Sequence, residues 1–319
     1  MNDSELDSIF RDDWPEDHRS GVVAVVGKPN VGKSTLINQI LGQKVAAVTP
    51  KPQTTRRNQL GIYTVPEGQI LFVDTPGMHQ PVHKLGEWMV RDAERALKDA
   101  DVILLLLDVS QLPDHEDRNL VERLKRLKDD TPLFLALNKA DALKPGQRES
   151  HVSAHADLIE HDGLHVISAL NGDGVRQLID ALMALMPLGP RYYPEDQVTE
   201  VNLRTVAAEI IREKVMLNTE QEIPHATAVE VESFQERDEN MTYISAVIYV
   251  ERDSQKGIVI GKNGSLIKKI GAEARAEIEP LVGTPVYLDL RVKVLPNWRT
   301  DDRLMSRLGF KTGKERKGR

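Results

Sequence analysis

The stretch VVAVVGKPNVGKSTLINQIL, from Val22 to Leu41, decides the fold of the first part of this chain. It holds a run of aliphatic residues, a glycine-rich loop of the pattern G-x-x-x-x-G-K-[ST], and then an amphipathic helical pattern. A loop of this kind between a strand and a helix directs backbone N–H groups and the helix N-terminus towards phosphates. We therefore predict a polyphosphate-binding loop in which Lys33 reaches the β- and γ-phosphates and Ser34 binds magnesium.

Aliphatic runs continue to alternate with helical patterns from this stretch to about residue 187. The runs at 22–27, 70–74, 102–108, 133–141 and 164–169 have the length and composition of buried strands, and amphipathic patterns lie between most of them. Such alternation is typical of a parallel sheet that helices cover on both faces. We expect an α/β domain with a mostly parallel sheet over residues 21–187.

Three further motifs follow predicted strands. DTPG, from Asp74 to Gly77, places a carboxylate where it can bind magnesium through water and an N–H where it can meet a γ-phosphate. NKAD, from Asn138 to Asp141, ends in a carboxylate that can accept hydrogen bonds from N1–H and the exocyclic amine of guanine, a donor pair that adenine lacks. SAL, at 168–170, offers a backbone N–H to guanine O6.

Each of these motifs alone would be an ordinary turn at a strand end, but four of them in this order predict a GTP site. The expected nucleotide-binding residues are Gly27, Lys28, Pro29, Asn30, Val31, Gly32, Lys33, Ser34, Thr35, Asp74, Thr75, Pro76, Gly77, Asn138, Lys139, Asp141, Ser168, Ala169 and Leu170.

These motifs make the first domain resemble the translation-factor-like class of P-loop GTPases. The resemblance implies hydrolysis of GTP to GDP and phosphate with Mg²⁺, and a switch threonine that coordinates the metal. In PQTTRR the candidates are Thr54 and Thr55, of which we favour Thr55. The implied metal ligands are Ser34, Thr55 and, through water, Asp74. The implied catalytic residues are Asn30, Lys33, Thr55 and Gly77.

The chain departs from signalling GTPases directly after DTPG. Met78 stands where many of them have a glutamine that orients the attacking water, and a thioether cannot orient water in that way. The resemblance is therefore to GTPases that are slow on their own. Asn30 matches the asparagine that helps potassium-activated members to hold a monovalent cation beside the phosphates, and we expect activation by K⁺. The alternative for Asn30 is a turn residue that tolerates an unusual backbone conformation.

The second part of the chain has a different order of elements. PLGPRYYPEDQVTE, at 187–200, loses apolar periodicity and predicts a linker over 188–203. The predicted elements beyond it are helix, strand, strand, short helix, helix and strand. From Ser254 to Arg319 the chain has 15 Lys and Arg against 7 Asp and Glu, although its overall net charge is -7. A basic C-terminal quarter on an acidic protein favours a polyanionic partner over a merely solvated tail.

A second glycine loop, GKNG, lies in this basic part. Only two residues separate Gly261 from Gly264 and no Lys-Ser pair follows, so the loop cannot enclose a triphosphate. It resembles the G-x-x-G loop of a KH domain, which grips single-stranded nucleic acid; the alternative is a plain helix cap. The element order agrees with the bacterial (type II) variant of that α+β fold, which we expect over 204–307. The expected RNA-binding residues are Gly261, Lys262, Asn263, Gly264, Lys268 and Lys269.

A GTPase domain followed by one KH domain resembles the Era-type GTPases of bacteria, from Val22 to about Arg307. The resemblance implies a GTP-dependent assembly factor that binds 16S ribosomal RNA near its 3' end during maturation of the 30S subunit, with no DNA partner. It also implies a monomer and, by resemblance alone, a peripheral association with the inner membrane. We expect residues 1–20 to be a disordered acidic tail and 308–319 a basic tail, and we assign no function to either.

Composition excludes several other classes of protein. The chain has no cysteine, which removes disulfides, thiolate zinc sites and cysteine nucleophiles. It shows no signal peptide, and its longest aliphatic run, at 102–109, is far shorter than the roughly 20 residues of a membrane span, so we expect a cytoplasmic protein. Two rival functions remain: a signalling or trafficking GTPase whose second domain binds protein, and a non-enzymatic RNA-binding protein that uses GTP only as a ligand.

Overall fold

A computed structural model of the chain describes residues 14–49, 51, 54–77, 84–200, 202–238 and 241–310. The chain forms two compact units. The first consists of Met1–Val45, Thr55–His79 and Arg91–Glu200, and the second of Ala46–Thr54, Gln80–Val90 and Val201–Arg319, as far as these ranges are described. No helix within the described residues is long and apolar enough to cross a membrane.

The first unit is an α/β layer structure, as the alternating pattern predicts. Its elements are β1 (Arg19–Val26), α1 (Lys33–Leu41), β2 (Gln59–Val65), β3 (Gly68–Asp74), most of α2 (Lys84–Lys98), β4 (Val102–Asp108), α3 (His115–Leu127), β5 (Leu133–Asn138), α4 (Arg148–Ala156), β6 (Gly163–Val166) and α5 (Val175–Leu185). The strand order is β2-β3-β1-β4-β5-β6, and every neighbouring pair is parallel except β2 and β3.

Two elements of the first unit were not predicted. Strand β2 forms an antiparallel hairpin with β3 at the sheet edge, and only Gly61 and Ile62 of its residues are buried, so it lacks the continuous apolar run of a central strand. Helix α4 buries His151 and His155 instead of aliphatic residues, so it lacks a recognisable apolar stripe.

Strand β1 begins earlier than expected. Arg19 and Ser20 pair with Gly68 and Gln69 of β3, which contradicts the expectation of a disordered tail for these two residues. The backbone hydrogen bonds of the parallel ladder order them although their side chains carry no strand pattern. Residues 1–13 of the predicted tail lie outside the described residues.

The predicted linker packs as part of the first unit up to Glu200. The N–H of Ile62 donates to the carbonyl of Val198 at 2.9 Å, and the hydroxyl of Thr199 donates to the carbonyl of Leu60 at 2.6 Å. Because an edge strand has unpaired backbone groups, this proline-rich segment gives β2 the partners that the sheet does not supply.

The second unit has the predicted KH element order with two unpredicted short helices, one before its first strand and one after its last. It comprises α6 (Leu203–Asn218), α7 (Ile223–Ala226), β7 (Ala228–Asp238), β8 (Met241–Val250), α8 (Asp253–Ile260), α9 (Ser265–Val282), β9 (Val286–Val294) and α10 (Asp302–Arg307). Strand β8 is central, antiparallel to β7 and parallel to β9. Alternate residues of β8 pack against α6 and α9, which gives one buried core with Ile211, Ile270 and Ile278 at its centre.

Two segments from the N-terminal half of the chain complete the second unit. Leu85, Trp88 and Met89 of α2 form an apolar cluster with Trp298 and Phe310, among others. The segment at 46–54 is hydrogen-bonded to α6, where the N–H of Val48 donates to Glu213 at 2.9 Å. The compact units therefore do not follow the boundary that the sequence pattern predicts near residue 187.

Candidate nucleotide site and nucleic-acid interface

The four predicted nucleotide motifs meet at one edge of the six-stranded sheet. The glycine-rich loop follows β1, DTPG follows β3, NKAD follows β5 and SAL follows β6, and these four strands are parallel. Their carboxyl ends lie at the same edge, which is where ligands bind in open α/β sheets.

The glycine-rich loop is tightly enclosed. Gly32 has φ +102°, and a Cβ there would lie 2.3 Å from Nδ2 of Asn138. A Cβ on Gly27 would lie 2.6 Å from the carbonyl oxygen of Leu106, and one on Gly77 would lie 2.9 Å from Cγ of Pro29. The loop therefore packs directly against β4, NKAD and DTPG, so glycine is required at each of these positions.

Lys33 is the buried cation of this loop. Its Nζ donates to the carbonyls of Gly27 at 3.0 Å and Lys28 at 2.9 Å. Burial lowers the pKa of Lys33 to about 8, although the nearby carboxylate of Asp74 acts in the opposite direction. Because a buried ammonium is poorly screened by solvent, an anion such as phosphate beside it would stabilise its charged form.

Three oxygen-bearing side chains lie together beside Lys33. The hydroxyl of Ser34 donates to Oδ2 of Asp74 at 2.6 Å, the hydroxyl of Thr55 donates to the same atom at 3.2 Å, and the two hydroxyl oxygens are 2.8 Å apart. Asp74 is fully buried, which raises the pKa of its carboxyl, and its Oδ1 has no hydrogen-bond partner among the described residues. Hard oxygen ligands and an unsatisfied buried carboxylate oxygen fit Mg²⁺.

The two switch threonines have different surroundings. Thr55 lies with Ser34 and Asp74, whereas the hydroxyl of Thr54 donates to the carbonyl of Lys51 at 2.7 Å. The geometry therefore favours Thr55 as a metal ligand. Met78 lies outside the described residues.

Asn138 connects the NKAD and SAL loops to the glycine-rich loop. Its Nδ2 donates to the carbonyl of Val31, and its Oδ1 accepts from the N–H of Ala169, both at 2.8 Å. The hydroxyl of Ser168 donates to Oδ1 of Asp141 at 2.6 Å, so one oxygen of that carboxylate is already held. Lys139 is paired with Asp108 at 2.6 Å. The NKAD and SAL motifs thus form one hydrogen-bonded group.

The remaining predicted nucleotide residues lie in the same loops. Asn30 is exposed and has φ +66°, a conformation that asparagine tolerates better than most residues. This backbone conformation would favour asparagine at position 30 even without a role in cation binding. The hydroxyl of Thr75 donates to the carbonyl of Val25 at 2.8 Å, which holds DTPG against β1. The same loops also contain the predicted residues Pro29, Val31, Thr35, Pro76 and Leu170.

Sequence reasoning missed the partners of the Lys28 side chain. This lysine is ion-paired with Asp114 at 2.7 Å and with Asp117 at 2.9 Å, at the N-terminus of α3. Neither aspartate belongs to a nucleotide motif, and they lie more than 80 positions from Lys28 in the chain. No local sequence signal could have indicated this pair of contacts.

In the second unit the GKNG loop joins α8 to α9. Gly261, Asn263 and Gly264 all have positive φ values, of 72°, 53° and 75°. A Cβ on Gly261 would lie 2.8 Å from the backbone nitrogen of Leu266, so this glycine is required by close packing as well as by conformation. Lys262 and Asn263 are exposed at the tip.

A groove of about 310 Å³ begins next to this loop, between α9 and β9. Its lining residues are Ile267, Lys268, Gly271, Ala272, Arg275, Leu288 and Leu290. Lys268 lies in the groove as expected, whereas Lys269 lies outside it and approaches Glu273 at 3.7 Å. Arg275 was not predicted, although it follows Lys268 at the helical spacing of seven residues that places both on one face. The groove combines an apolar floor with two cations.

Comparisons with known proteins agree with both halves of the structure. The family model described as a 50S ribosome-binding GTPase matches residues 22–139, and the KH domain model matches residues 222–299. GTPase Era of Ruminiclostridium cellulolyticum is 44% identical over 297 residues, which cover 93% of this chain and 99% of the relative. GTPase Era of Thermotoga petrophila is 50% identical over 285 residues, which cover 89% and 94%.

Two solved structures are similar over nearly the whole chain. A crystal structure of an Aquifex aeolicus Era variant bound to GDP.AlF4- has a TM-score of 0.86 at 39% identity, covering 92% of this chain and 99% of that one. A crystal structure of Era with MgGDPNP and nucleotides 1506–1542 of 16S ribosomal RNA has the same TM-score and coverage at 38% identity. The predicted fold class, a P-loop GTPase domain followed by a KH domain, is confirmed.

Proposed function

Because this chain belongs to the Era family of GTPases, we propose that it couples hydrolysis of GTP in the first unit to binding of small-subunit ribosomal RNA by the KH domain during 30S maturation. The observation that carries the nucleotide assignment is the cluster of Ser34, Thr55 and Asp74 beside the buried Lys33. The similar structures with MgGDPNP and GDP.AlF4- support the same nucleotide class and metal.

In this proposal different residues of the first unit bind the metal, the phosphates and the guanine base of Mg·GTP. Ser34 and Thr55 ligate Mg²⁺ and Asp74 binds it through water, and the metal neutralises charge on the β- and γ-phosphates. Lys33 contacts the same phosphates, and the N–H of Gly77 binds the γ-phosphate. Asp141 selects guanine through its second carboxylate oxygen, since Ser168 occupies the first.

The proposed monovalent activator is K⁺, held beside the phosphates by Asn30. Its side chain is exposed on the loop, whereas a side chain at Gly27 or Gly32 would meet neighbouring atoms. We expect GTP turnover to be faster in potassium than in sodium. Asn30→Ala should still bind GTP but should lose this difference in rate. Equal rates in both salts would exclude K⁺ and leave the GTPase assignment intact.

The proposed RNA site is the GKNG loop together with the groove between α9 and β9. Its apolar floor suits unstacked bases, and Lys262, Lys268 and Arg275 suit the backbone phosphates. The neighbouring structure with nucleotides 1506–1542 of 16S ribosomal RNA supports the 3' end of that RNA as the target. The KH match weakens the rival in which the second domain binds protein.

RNA crosslinking in cells, followed by sequencing of the bound fragments, tests this function. We expect fragments from the 3' end of 16S ribosomal RNA and co-sedimentation with 30S particles. Crosslinks spread evenly over cellular RNA would contradict the specific target. We further propose a cytoplasmic monomer; a peripheral membrane association rests on family resemblance alone, and flotation with lipid vesicles would test it.

A further inference from the structure

We infer that Lys28 is a positioning residue of the nucleotide site, whose ion pairs with Asp114 and Asp117 fix the part of the loop that holds Lys33. The inference rests on the proposed binding of GTP by this loop. It gives a role to two carboxylates of α3 that none of the four nucleotide motifs contains.

The three side chains form a compact group in which Lys28 and Asp117 are largely buried and Asp114 is half exposed. Nζ of Lys28 lies 2.7 Å from Oδ2 of Asp114 and 2.9 Å from Oδ2 of Asp117. The side chains of Lys28 and Asp117 are only 14% and 6% exposed, so solvent screens this pair less than an ordinary surface ion pair. The Lys28 side chain is therefore held at the N-terminus of α3 by these two carboxylates.

The two carboxylates are themselves held in place. Asp114 is the N-cap of α3 and accepts from the N–H of Asp117 at 2.9 Å, while Asp117 accepts from the N–H of Asp114 at 3.0 Å. This reciprocal capping box orders both side chains through the helix backbone. The acceptors for Lys28 are thus held by hydrogen bonds to the helix N-terminus, which makes them suitable for fixing a loop.

The backbone of Lys28 is in turn part of the Lys33 site. Nζ of Lys33 donates to the carbonyls of Gly27 and Lys28 at 3.0 and 2.9 Å. A shift of the Lys28 backbone would therefore move the ammonium group that is proposed to meet the phosphates. Lys28 acts on the nucleotide through Lys33, not by contact of its own side chain.

A prepositioned ammonium lowers the ordering cost of ligand binding, so loss of the anchor should weaken binding and leave the chemical step largely unaffected. Lys33 reaches the β-phosphate as well as the γ-phosphate, so GDP should be affected as much as GTP. A direct role of Lys28 at the γ-phosphate would instead weaken GTP selectively or lower kcat.

The first test replaces Lys28 by Met, which keeps the apolar stem and removes the charge. We expect the Kd for GTP and for GDP to rise by the same factor, about tenfold, with a matching rise in KM and with kcat within about twofold of wild type. Lys28→Arg should restore most of the affinity. Lys125→Ala is the matched control, because it removes an exposed lysine of α3 that pairs with Glu122 at 2.8 Å, away from the loop.

The second test changes the carboxylates. In the double variant Asp114→Asn with Asp117→Asn, each asparagine keeps an oxygen that can accept the capping hydrogen bond, but both charges are lost. We expect the same loss of nucleotide affinity as in Lys28→Met, and no additional loss when the three substitutions are combined, since all of them remove one interaction. The helix should remain folded, as circular dichroism would show.

The outcomes separate this inference from the proposed function. A wild-type protein that fails to bind GTP would contradict the proposed function. If the wild type binds GTP and a folded Lys28→Met protein binds it equally well, only the positioning role of Lys28 is overturned. A lowered kcat with unchanged KM, or a loss restricted to GTP, would also overturn it. If Lys28→Met does not fold, the Lys28→Arg and asparagine variants decide between the same outcomes.

Discussion

Asp141 shows at the scale of one residue how the site can select its base. Ser168 donates its hydroxyl to Oδ1 of this carboxylate at 2.6 Å, which fixes the orientation of the group and leaves Oδ2 for the ligand. An aspartate held in this way can only accept hydrogen bonds, and guanine offers donors at N1 and N2.

The first prediction follows from this geometry. In Asp141→Asn, the side-chain oxygen can keep the Ser168 hydrogen bond, so an NH₂ group faces the guanine donors. Loss of a hydrogen bond to a charged group costs about 1.5 to 3 kcal/mol, so the affinity for GTP should fall roughly tenfold to a hundredfold or more. Xanthosine triphosphate, which has a carbonyl where guanine has its amine, should bind better than to wild type. Titrations with both nucleotides measure this, and a wild type that binds ATP as tightly as GTP would contradict it.

A second prediction uses two adjacent threonines as a matched pair. Thr55→Ala removes a hydroxyl that lies with Ser34 and Asp74, so turnover at limiting Mg²⁺ should fall about tenfold or more. Thr54→Ala removes a hydroxyl that donates to the Lys51 carbonyl, and its turnover should stay within about twofold of wild type. The measurement is GTP turnover across a magnesium titration. The opposite ranking of the two variants would make Thr54 the ligand.

At the scale of elements, α9 and the loop before it supply the basic side of the groove. Lys268 and Arg275 line the groove from the helix, with Gly271 between them. Lys262 and Asn263 are exposed at the loop tip. Helix α9 and the loop before it thus place cations along one edge of the groove.

The third prediction concerns this loop. Replacing Lys262 and Asn263 together by aspartate places negative charge where the RNA backbone is proposed to bind, so binding to single-stranded RNA should collapse while GTP turnover persists. Wild-type affinity should fall as salt rises, with a log-log slope of about -0.7 for each phosphate contact on a single strand. Fluorescence anisotropy with the RNA 3' end measures both effects.

Its control separates the loop from the basic tail. Deletion from Lys311 onward removes tail charge and leaves the groove, so most of the affinity should remain. If the aspartate variant melts like wild type and still binds ribosomal RNA normally, the loop is only a helix cap and the tail deletion should then abolish binding.

At the scale of the whole molecule, the chain passes from the second unit to the first between Thr54 and Thr55. The carbonyl of Thr54 accepts a hydrogen bond from Arg212 of α6, and Lys51 donates to the carbonyls of Met216 and Thr219 on the same helix and just beyond it. The next residue, Thr55, lies with Ser34 and Asp74, the proposed magnesium ligands. One peptide bond therefore links a proposed metal ligand to a residue that α6 holds.

A fourth prediction follows for coupling between nucleotide and RNA. Arg212→Ala releases the Thr54 carbonyl from α6, so the difference in RNA affinity between the GDPNP and GDP forms should shrink severalfold, while GTP affinity stays within about twofold. RNA titrations in each nucleotide state measure this. Arg204→Ala is the control on the same helix, because Arg204 donates to the Glu232 carbonyl of β7. An unchanged difference in a folded Arg212→Ala protein would contradict the coupling role.

Most of the fold could be predicted from the chain itself, because its central strands are continuous aliphatic runs and its helices have clear apolar stripes. Every residue from Val102 to Leu107 in β4 is fully buried, as a strand covered on both faces requires. The elements that were missed depend on neighbours: β2 exists because β3 and the segment at 198–199 satisfy its backbone, and α4 buries histidines instead of aliphatic residues.

The sequence by itself determined the loops that are proposed to bind the phosphates, the metal and the base, because each loop is a contiguous motif at the end of a strand. The tertiary structure alone decided which threonine joins Ser34 and Asp74, which carboxylates hold Lys28, and that Arg275 shares a groove with Leu288 and Leu290 of β9. Each of these contacts joins residues from different elements of the chain, and the two candidate threonines are neighbours that a sequence pattern cannot tell apart. The contacts form only when the elements pack together, so no single stretch of sequence specifies them.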